Sequence, residues 1–166
     1  KALAASLSEA NDIAEACERS GVFLNMCTNR RWMGGYQRMK EIIDGGEIGA
    51  LKTLIAPGAQ LFNHLSHMFD VILLLNSDRP VAWVSAQLED ADNVFQGDAL
   101  VEDSMGHGML RFENGVTAYN LKAHRRYEVE AICERGFVSS LQGLAGWELY
   151  RQGPRDQQDR PFVVPA

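Results

Sequence analysis

Apolar positions recur every three or four residues through much of the first half of the chain and alternate through much of the second half. Ser6-Leu7-Ser8-Glu9 has the form of a capping box, in which a serine and the acid three residues on satisfy free amides at a helix start. The pattern predicts a helix behind it, with Ile13, Ala14 and Cys17 on one face and Gly21 just past its end. Val22 to Met26 reads as a short buried strand. A helix closed by glycine and followed at once by an apolar strand is a unit usual in parallel sheets, here with no earlier strand to join. Tyr36, Met39, Ile42 and Ile43 predict a second helix from Tyr36 to Asp44, ended by Gly45-Gly46. Ile48-Gly49 turns the chain into a strand from Leu51 to Ala56. Met68, Val71, Ile72 and Leu75 recur at the helical period and predict a third helix from Asn63 to Leu75.

After Pro80 the period changes to two. Val81 to Leu88 alternates, with Val81, Trp83, Ser85 and Gln87 facing away from Ala82, Val84, Ala86 and Leu88. Met105 to Phe112 and Val116 to Leu121 flank Glu113-Asn114-Gly115, and Asn-Gly between two strands predicts a type I′ hairpin turn. Tyr127 to Cys133, Gly136 to Ser140 and Trp147 to Arg151 extend the strand series, and Gly153 to Ala166 reads as loop or tail. The expected fold class is α+β: an open, mostly antiparallel sheet, arranged as a meander, with helices on one face.

Composition narrows the function classes. The chain has 166 residues, 46% hydrophobic and 23% charged, the balance of an ordinary globular domain able to bury a core. A net charge of −6 does not suit a phosphate backbone, so no nucleic-acid partner is expected. The longest clean apolar run, Val71 to Leu75, is far short of a membrane span, and the N-terminus lacks the pattern of a signal peptide. Three cysteines, Cys17, Cys27 and Cys133, stand far apart with no CxxC, which fits a reducing, cytoplasmic setting and no zinc framework. The chain opens at Lys1, as a piece of a longer or processed protein would.

Several segments fall in the order of one family. Lys1-Ala2-Leu3-Ala4 before the capped helix resembles the Glu-Lys-Pro-Leu-Ala stretch of the glucose–fructose oxidoreductase/inositol dehydrogenase family. Asn29-Arg30-Arg31-Trp32 with Tyr36, and Gly46-Glu47-Ile48-Gly49, resemble its Arg-aromatic and Gly-x-Ile-Gly turns. Ser66-His67-Met68-Phe69-Asp70 looks like its Gly-x-His-x-x-Asp helix start, and Val101-Glu102-Asp103-Ser104 and Phe112-Glu113-Asn114-Gly115 are similar to its Glu-Asp and Phe-x-Asn-Gly segments. The sequence departs from the family at Ala2, where Pro is usual, at Ser66, where Gly is usual, and at Asn63, where many members carry Asp. No Gly-rich dinucleotide fingerprint occurs in the 166 residues. The resemblance therefore implies that residues 1–27 are the tail of a dinucleotide-binding Rossmann domain, with 28–166 a C-terminal substrate-binding and oligomerisation domain. NAD(P) would belong to the parent protein and none is expected to bind this chain alone.

The implied reaction is reversible hydride transfer between NAD(P) and a secondary alcohol of a sugar or cyclitol. Such a reaction needs a group that takes the O–H proton as hydride leaves carbon. The resemblance assigns this to Lys1 and His67, facing each other across one cleft, where a cationic lysine would favour a neutral imidazole. Asn63 is a candidate substrate hydrogen-bonder, although its residue type also suits a helix N-cap. Asp70, three residues beyond His67, could orient the ring or satisfy the first turn of the helix. Arg30 and Arg31 could grip a substrate hydroxyl or carboxylate, or the cofactor, through a guanidinium fork, or lie exposed. His64, His67 and Asp70 have a loose metal-like spacing, but helix-borne sites usually add a ligand from elsewhere and no metal is expected. Cys27 is expected buried and inert. The rival readings are a non-catalytic ligand sensor on the same fold, since the family includes a repressor of galactose genes, and a bare oligomerisation domain. The alternating strands have two faces and the helices can cover one, so a homodimer or higher oligomer through the sheet is expected.

Overall fold

The computed structural model describes residues 2–89, 94–122, 128–141, 144–155 and 161–165. Three α-helices are found among them: α1 (Leu7–Ser20), α2 (Gly34–Asp44) and α3 (Ser66–Leu75). The strands are β1 (Leu51–Pro57), β2 (Ala59–Gln60), β3 (Val81–Leu88), β4 (Phe95–Gln96), β5 (Ala99–Leu100), β6 (Met105–Phe112), β7 (Thr117–Leu121), β8 (Glu130–Cys133), β9 (Gly136–Leu141), β10 (Gly146–Arg155) and β11 (Pro161–Pro165). Apart from the small β4–β5 hairpin, they form one open sheet of nine strands.

The sheet order is β11-β10-β9-β8-β1-β7-β6, with β3 along the far edge of β6. This is not the expected meander. Strand β1 sits centrally, antiparallel to β8 and parallel to β7, and so separates two strands that follow each other in sequence. A parallel neighbour requires a crossover, and here the chain supplies it by way of α3, β3 and β6. At the other edge, the residues read as tail form the end of β10 and all of β11, paired from Tyr150↔Pro165 to Arg155↔Pro161.

Helices α2 and α3 cover one face, as the alternation requires. Tyr36, Met39, Ile42 and Ile43 of α2 and Met68, Val71, Ile72 and Leu75 of α3 are buried against Leu54, Ala56, Phe112, Ala118, Ala131 and Val138 of the sheet. The opposite face carries Ile55 beside Tyr119, Tyr119 beside Met109, and Phe137 stacked on Tyr150 with ring centroids 4.7 Å apart. The helices cover β3 poorly. Trp83 and Val84 point to opposite sides of that strand and remain 48% and 61% exposed.

The hairpin between β6 and β7 is one residue longer than, and different in type from, the I′ turn expected. The amide of Gly115 donates to Phe112 O (3.0 Å) and that of Phe112 to Val116 O (2.9 Å), which closes a three-residue loop. Only Gly115 takes positive φ (86°), so this is a type I turn followed by a left-handed glycine. The Asn114 side chain then serves tertiary structure, donating to Asn76 Oδ1 at the end of α3 (2.9 Å).

Helix α1 forms as its capping box requires. Glu9 N donates to Ser6 Oγ (3.1 Å), Glu9 Oε2 accepts from Ala5 N (3.1 Å), and Gly21 closes the helix at φ 64°. Yet α1 buries no residue, and Val22 to Met26 is neither strand nor buried: Phe23 is 88% exposed. Among the described residues no strand pairs with this segment, and an apolar run without a neighbour cannot form a ladder. Cys27, at its end, is exposed and not buried as expected; the buried cysteine is Cys133 on β8. Burial pushes the Cys133 thiol up to about 11, so it is protonated and inert at neutral pH.

Candidate functional site

The third helix begins earlier than its periodicity indicated. A π-turn, Leu61–Leu65, runs directly into α3, and such turns frequently occur at functional sites. Its apolar side chains seat it on the sheet: Leu65 is buried, and Gly106 on β6 leaves room for Leu61 and Leu65. A Cβ added at Gly106 would stand 3.1 Å from Leu61 Cδ2 and 3.3 Å from Leu65 Cδ1. Asn63 is the third residue of the turn and exposed, with His67, half-buried, four residues later. Four residues is one helical turn, so the two belong to neighbouring positions of one face.

Asn63 is not the N-cap. The capping position falls on Gln60, whose side chain caps nothing. Asp103, in the loop before β6, does that work from 41 residues away in sequence. Its Oδ1 accepts from Phe62 N (2.8 Å) and its Oδ2 from Asn63 N (3.1 Å). Ser66 Oγ donates back to Phe62 O (2.8 Å), which ties the turn to the start of α3.

Asp70 and Arg31 are joined to each other. Arg31 Nε and Nη2 both meet Asp70 Oδ1, at 2.9 and 2.8 Å, and Nη2 also donates to Asp78 Oδ1 at 3.0 Å. The hydrogen bond to Asp70 is the chief reason the Arg31 pKa is raised; Asp78 adds to it. Arg31 thus pins the short 3-10 turn Asn29–Trp32 to the middle of α3 and to the turn just beyond its C-terminus. Asp70 Oδ1 is engaged by Arg31 and, nine residues into the run that starts at Leu61, cannot satisfy its first turn. Its Oδ2 is buried with no hydrogen-bond partner among the described residues. Asp70, Arg31 and Trp32 form one wall of an open groove of about 360 Å³, and Asn25, Met26, Cys27 and Thr28 form the other. Arg30 is half-buried beside them, and Trp32 is 73% exposed.

The structure joins Arg31 and Asp70 at the groove, and places Asn63 on the π-turn and His67 at the start of α3, outside the groove's lining. Lys1 lies outside the described residues. Among the described residues no three His, Cys, Asp or Glu side chains gather to hold a metal, and no helix is long and apolar enough to cross a membrane. Sequence reasoning missed Asp78 and Asp103. Asp103 stood inside the Glu-Asp segment already noted, but nothing local marks a carboxylate that caps a turn so distant in sequence.

Solved structures share this fold. An NAD-binding oxidoreductase from Klebsiella pneumoniae superposes with a TM-score of 0.72 at 18% identity, over 99% of this chain and 52% of its own. The chain has the fold of the C-terminal domain of these oxidoreductases. Aldose-aldose oxidoreductase from Caulobacter crescentus, complexed with glycerol, matches with a TM-score of 0.69 at 17% identity, over 97% of this chain and 53% of its own. The super-repressor mutant of Gal80p from Saccharomyces cerevisiae matches with a TM-score of 0.71 at 14% identity, over 99% of this chain and 51% of its own. This chain spans about half the length of each of these proteins. No family model and no curated sequence matches it. The fold expected from the glucose–fructose oxidoreductase/inositol dehydrogenase resemblance is thus the fold observed, with β1 inserted where a meander was expected.

Proposed function

We propose that this chain is the substrate-side portion of an oxidoreductase that moves hydride between NAD(P) and a secondary alcohol of a sugar or cyclitol. The observation that carries this reading is the π-turn into α3. It presents Asn63 to solvent and sets His67 one turn before Asp70, which walls the groove. Oxidation of a carbinol needs its O–H proton taken up, and a neutral imidazole at position 67 can take it. The Asn63 amide can donate to or accept from a neighbouring hydroxyl. With Arg31 held by two carboxylates, its part is to keep the groove wall in place, with Asp70 as its anchor on α3. Glycerol in the Caulobacter structure supports a polyol-sized substrate.

NAD(P), when bound to the parent protein, supplies the hydride acceptor. The residues of this chain do not fit it. No Gly-rich phosphate turn is present, and the N-terminus of α1 is filled by its own Ser6 and Glu9. In this reading, residues 1–27 complete a dinucleotide-binding domain that precedes Lys1, and Lys1 is the second acid/base. The exposed Val22, Phe23 and Leu24 support it, because pairing with that domain's sheet would cover them. The free cysteines suit a reducing cytoplasm. The test is turnover by the longer protein on a panel of sugars and polyols, followed as NAD(P)H absorbance. This chain alone, titrated with NAD, NADH and NADP, is expected to show no saturable heat. A micromolar Kd here would overturn the division into two domains, and absence of turnover across the panel would overturn the reaction.

The second reading is a non-catalytic ligand sensor, supported by the match to Gal80p. In either case the open sheet face with Ile55, Met109, Tyr119, Phe137 and Tyr150 supports self-association, most simply as a twofold dimer. Sedimentation at micromolar concentration is expected to give a dimer; a clean monomer would remove this part of the proposal.

A further inference from the structure

The turn that carries Asn63 is built with more free donors than an α-helix start, because a π-turn returns its hydrogen bonds five residues on. Three successive amides at its beginning are all taken by one short segment of the loop before β6. Leu61 N donates to Ser104 O (3.1 Å), Phe62 N to Asp103 Oδ1 and Asn63 N to Asp103 Oδ2. That segment is itself anchored. Strand β2 pairs Gln60↔Met105 and Ala59↔Gly106 immediately beside it, and Gly106 admits Leu61 and Leu65 from above. A negative carboxylate at a helix start is also favoured by the helix dipole.

We propose that Asp103 is a positioning residue, whose two-oxygen grip sets the rotational phase of the π-turn and so the direction in which Asn63 and His67 project. The role in alignment rests on the function proposed above; the grip itself does not. A single hydrogen bond to each amide from separate side chains would fix position only. One carboxylate holding two consecutive amides fixes their direction as well, and each ten degrees of phase carries through to the side chains of the same turn. Asparagine at 103 keeps one acceptor and turns an N–H donor toward the second amide, so it preserves shape while breaking the grip. Glutamate keeps both acceptors on a longer stem.

Two measurements test this. The first is amide hydrogen exchange on this chain as it stands. Asp103→Asn is expected to speed exchange at Phe62 and Asn63 by about tenfold, the worth of roughly one hydrogen bond, while Val71 and Ile72 keep their protection. Unchanged exchange at Phe62 and Asn63 would overturn the grip whatever the protein does. The second is kinetics in the longer protein. Asp103→Asn is expected to lower kcat/KM for the sugar or polyol by about 10²-fold, with KM for NAD(P) unmoved and partial rescue by Asp103→Glu. Val138→Ala, a core change far from the turn, is the control for lost stability, and is expected to leave kcat/KM at the wild-type value. Equal losses in Asp103→Asn and Val138→Ala, or no loss in Asp103→Asn, would overturn the positioning role. If His67→Ala retains full turnover, the function reading fails instead, and the exchange result still decides the grip.

Discussion

In the oxidoreductase proposed above, replacing His67 by alanine is expected to lower kcat about 10²–10⁴-fold, the usual loss when a positioned acid/base is removed. Cofactor affinity is expected to stay within a factor of about two, because the proposed role of His67 is toward the substrate and no phosphate-binding turn is near it in sequence. Lys1→Ala is expected to fall in the same range, as the partner in proton transfer. Asn63→Ala is expected to act mainly on substrate KM: with Asp103 holding its backbone amide, the side chain is released from capping, and its removal leaves the turn intact. Steady-state kinetics with the sugar varied and then the cofactor varied separates these outcomes. A His67→Ala protein with wild-type kcat would return His67 to a structural role and leave the groove to a binding function.

Phe112→Ala is expected to cost about 3–5 kcal/mol of stability, the range for truncating a fully buried aromatic side chain. Phe112 is 1% exposed and ends β6 where the hairpin begins. It belongs to the same cluster as Met68, Val71 and Leu75 of α3, so the cavity would open beneath the helix that carries His67. Its neighbour Asn114 is tied to Asn76 and Val116, and this limits how far the hairpin can collapse into the space. Trp83→Ala, at a half-exposed position on the edge strand, is the comparison and is expected to cost under about 1 kcal/mol. Urea unfolding followed by circular dichroism measures both. A Phe112→Ala loss no larger than that of Trp83→Ala would show that the core does not depend on this contact.

How much was legible in the sequence depended on how local each signal is. The four apolar positions of α2 and the four of α3 are all buried, because a helix meets a sheet along one stripe and the stripe repeats every turn. Ser6 and Gly21 bound α1 as read, since a cap involves atoms within four residues. The site was legible only as an ordered set of residues. That Arg31 would be bound by Asp70 and Asp78 depends on pairings 39 and 47 residues apart, and no periodicity encodes them. Arg31 is therefore engaged by two carboxylates, and the capping alternative for Asn63 is excluded because the capping position falls on Gln60.

The sequence by itself determined the three helices, the buried stripes of α2 and α3, most of the strands with their alternation, and the order of the family-like segments. These follow from backbone geometry and local hydrogen bonding, which act over a few residues. The tertiary structure alone decided that β1 enters the middle of the sheet beside β7, that Asp103 caps the π-turn, and that Val22 to Met26 remains uncovered. Each is a choice among partners distant in the chain. Any edge offers the same unpaired amides and carbonyls, and which edge is taken is settled by how all the apolar faces can be buried at once.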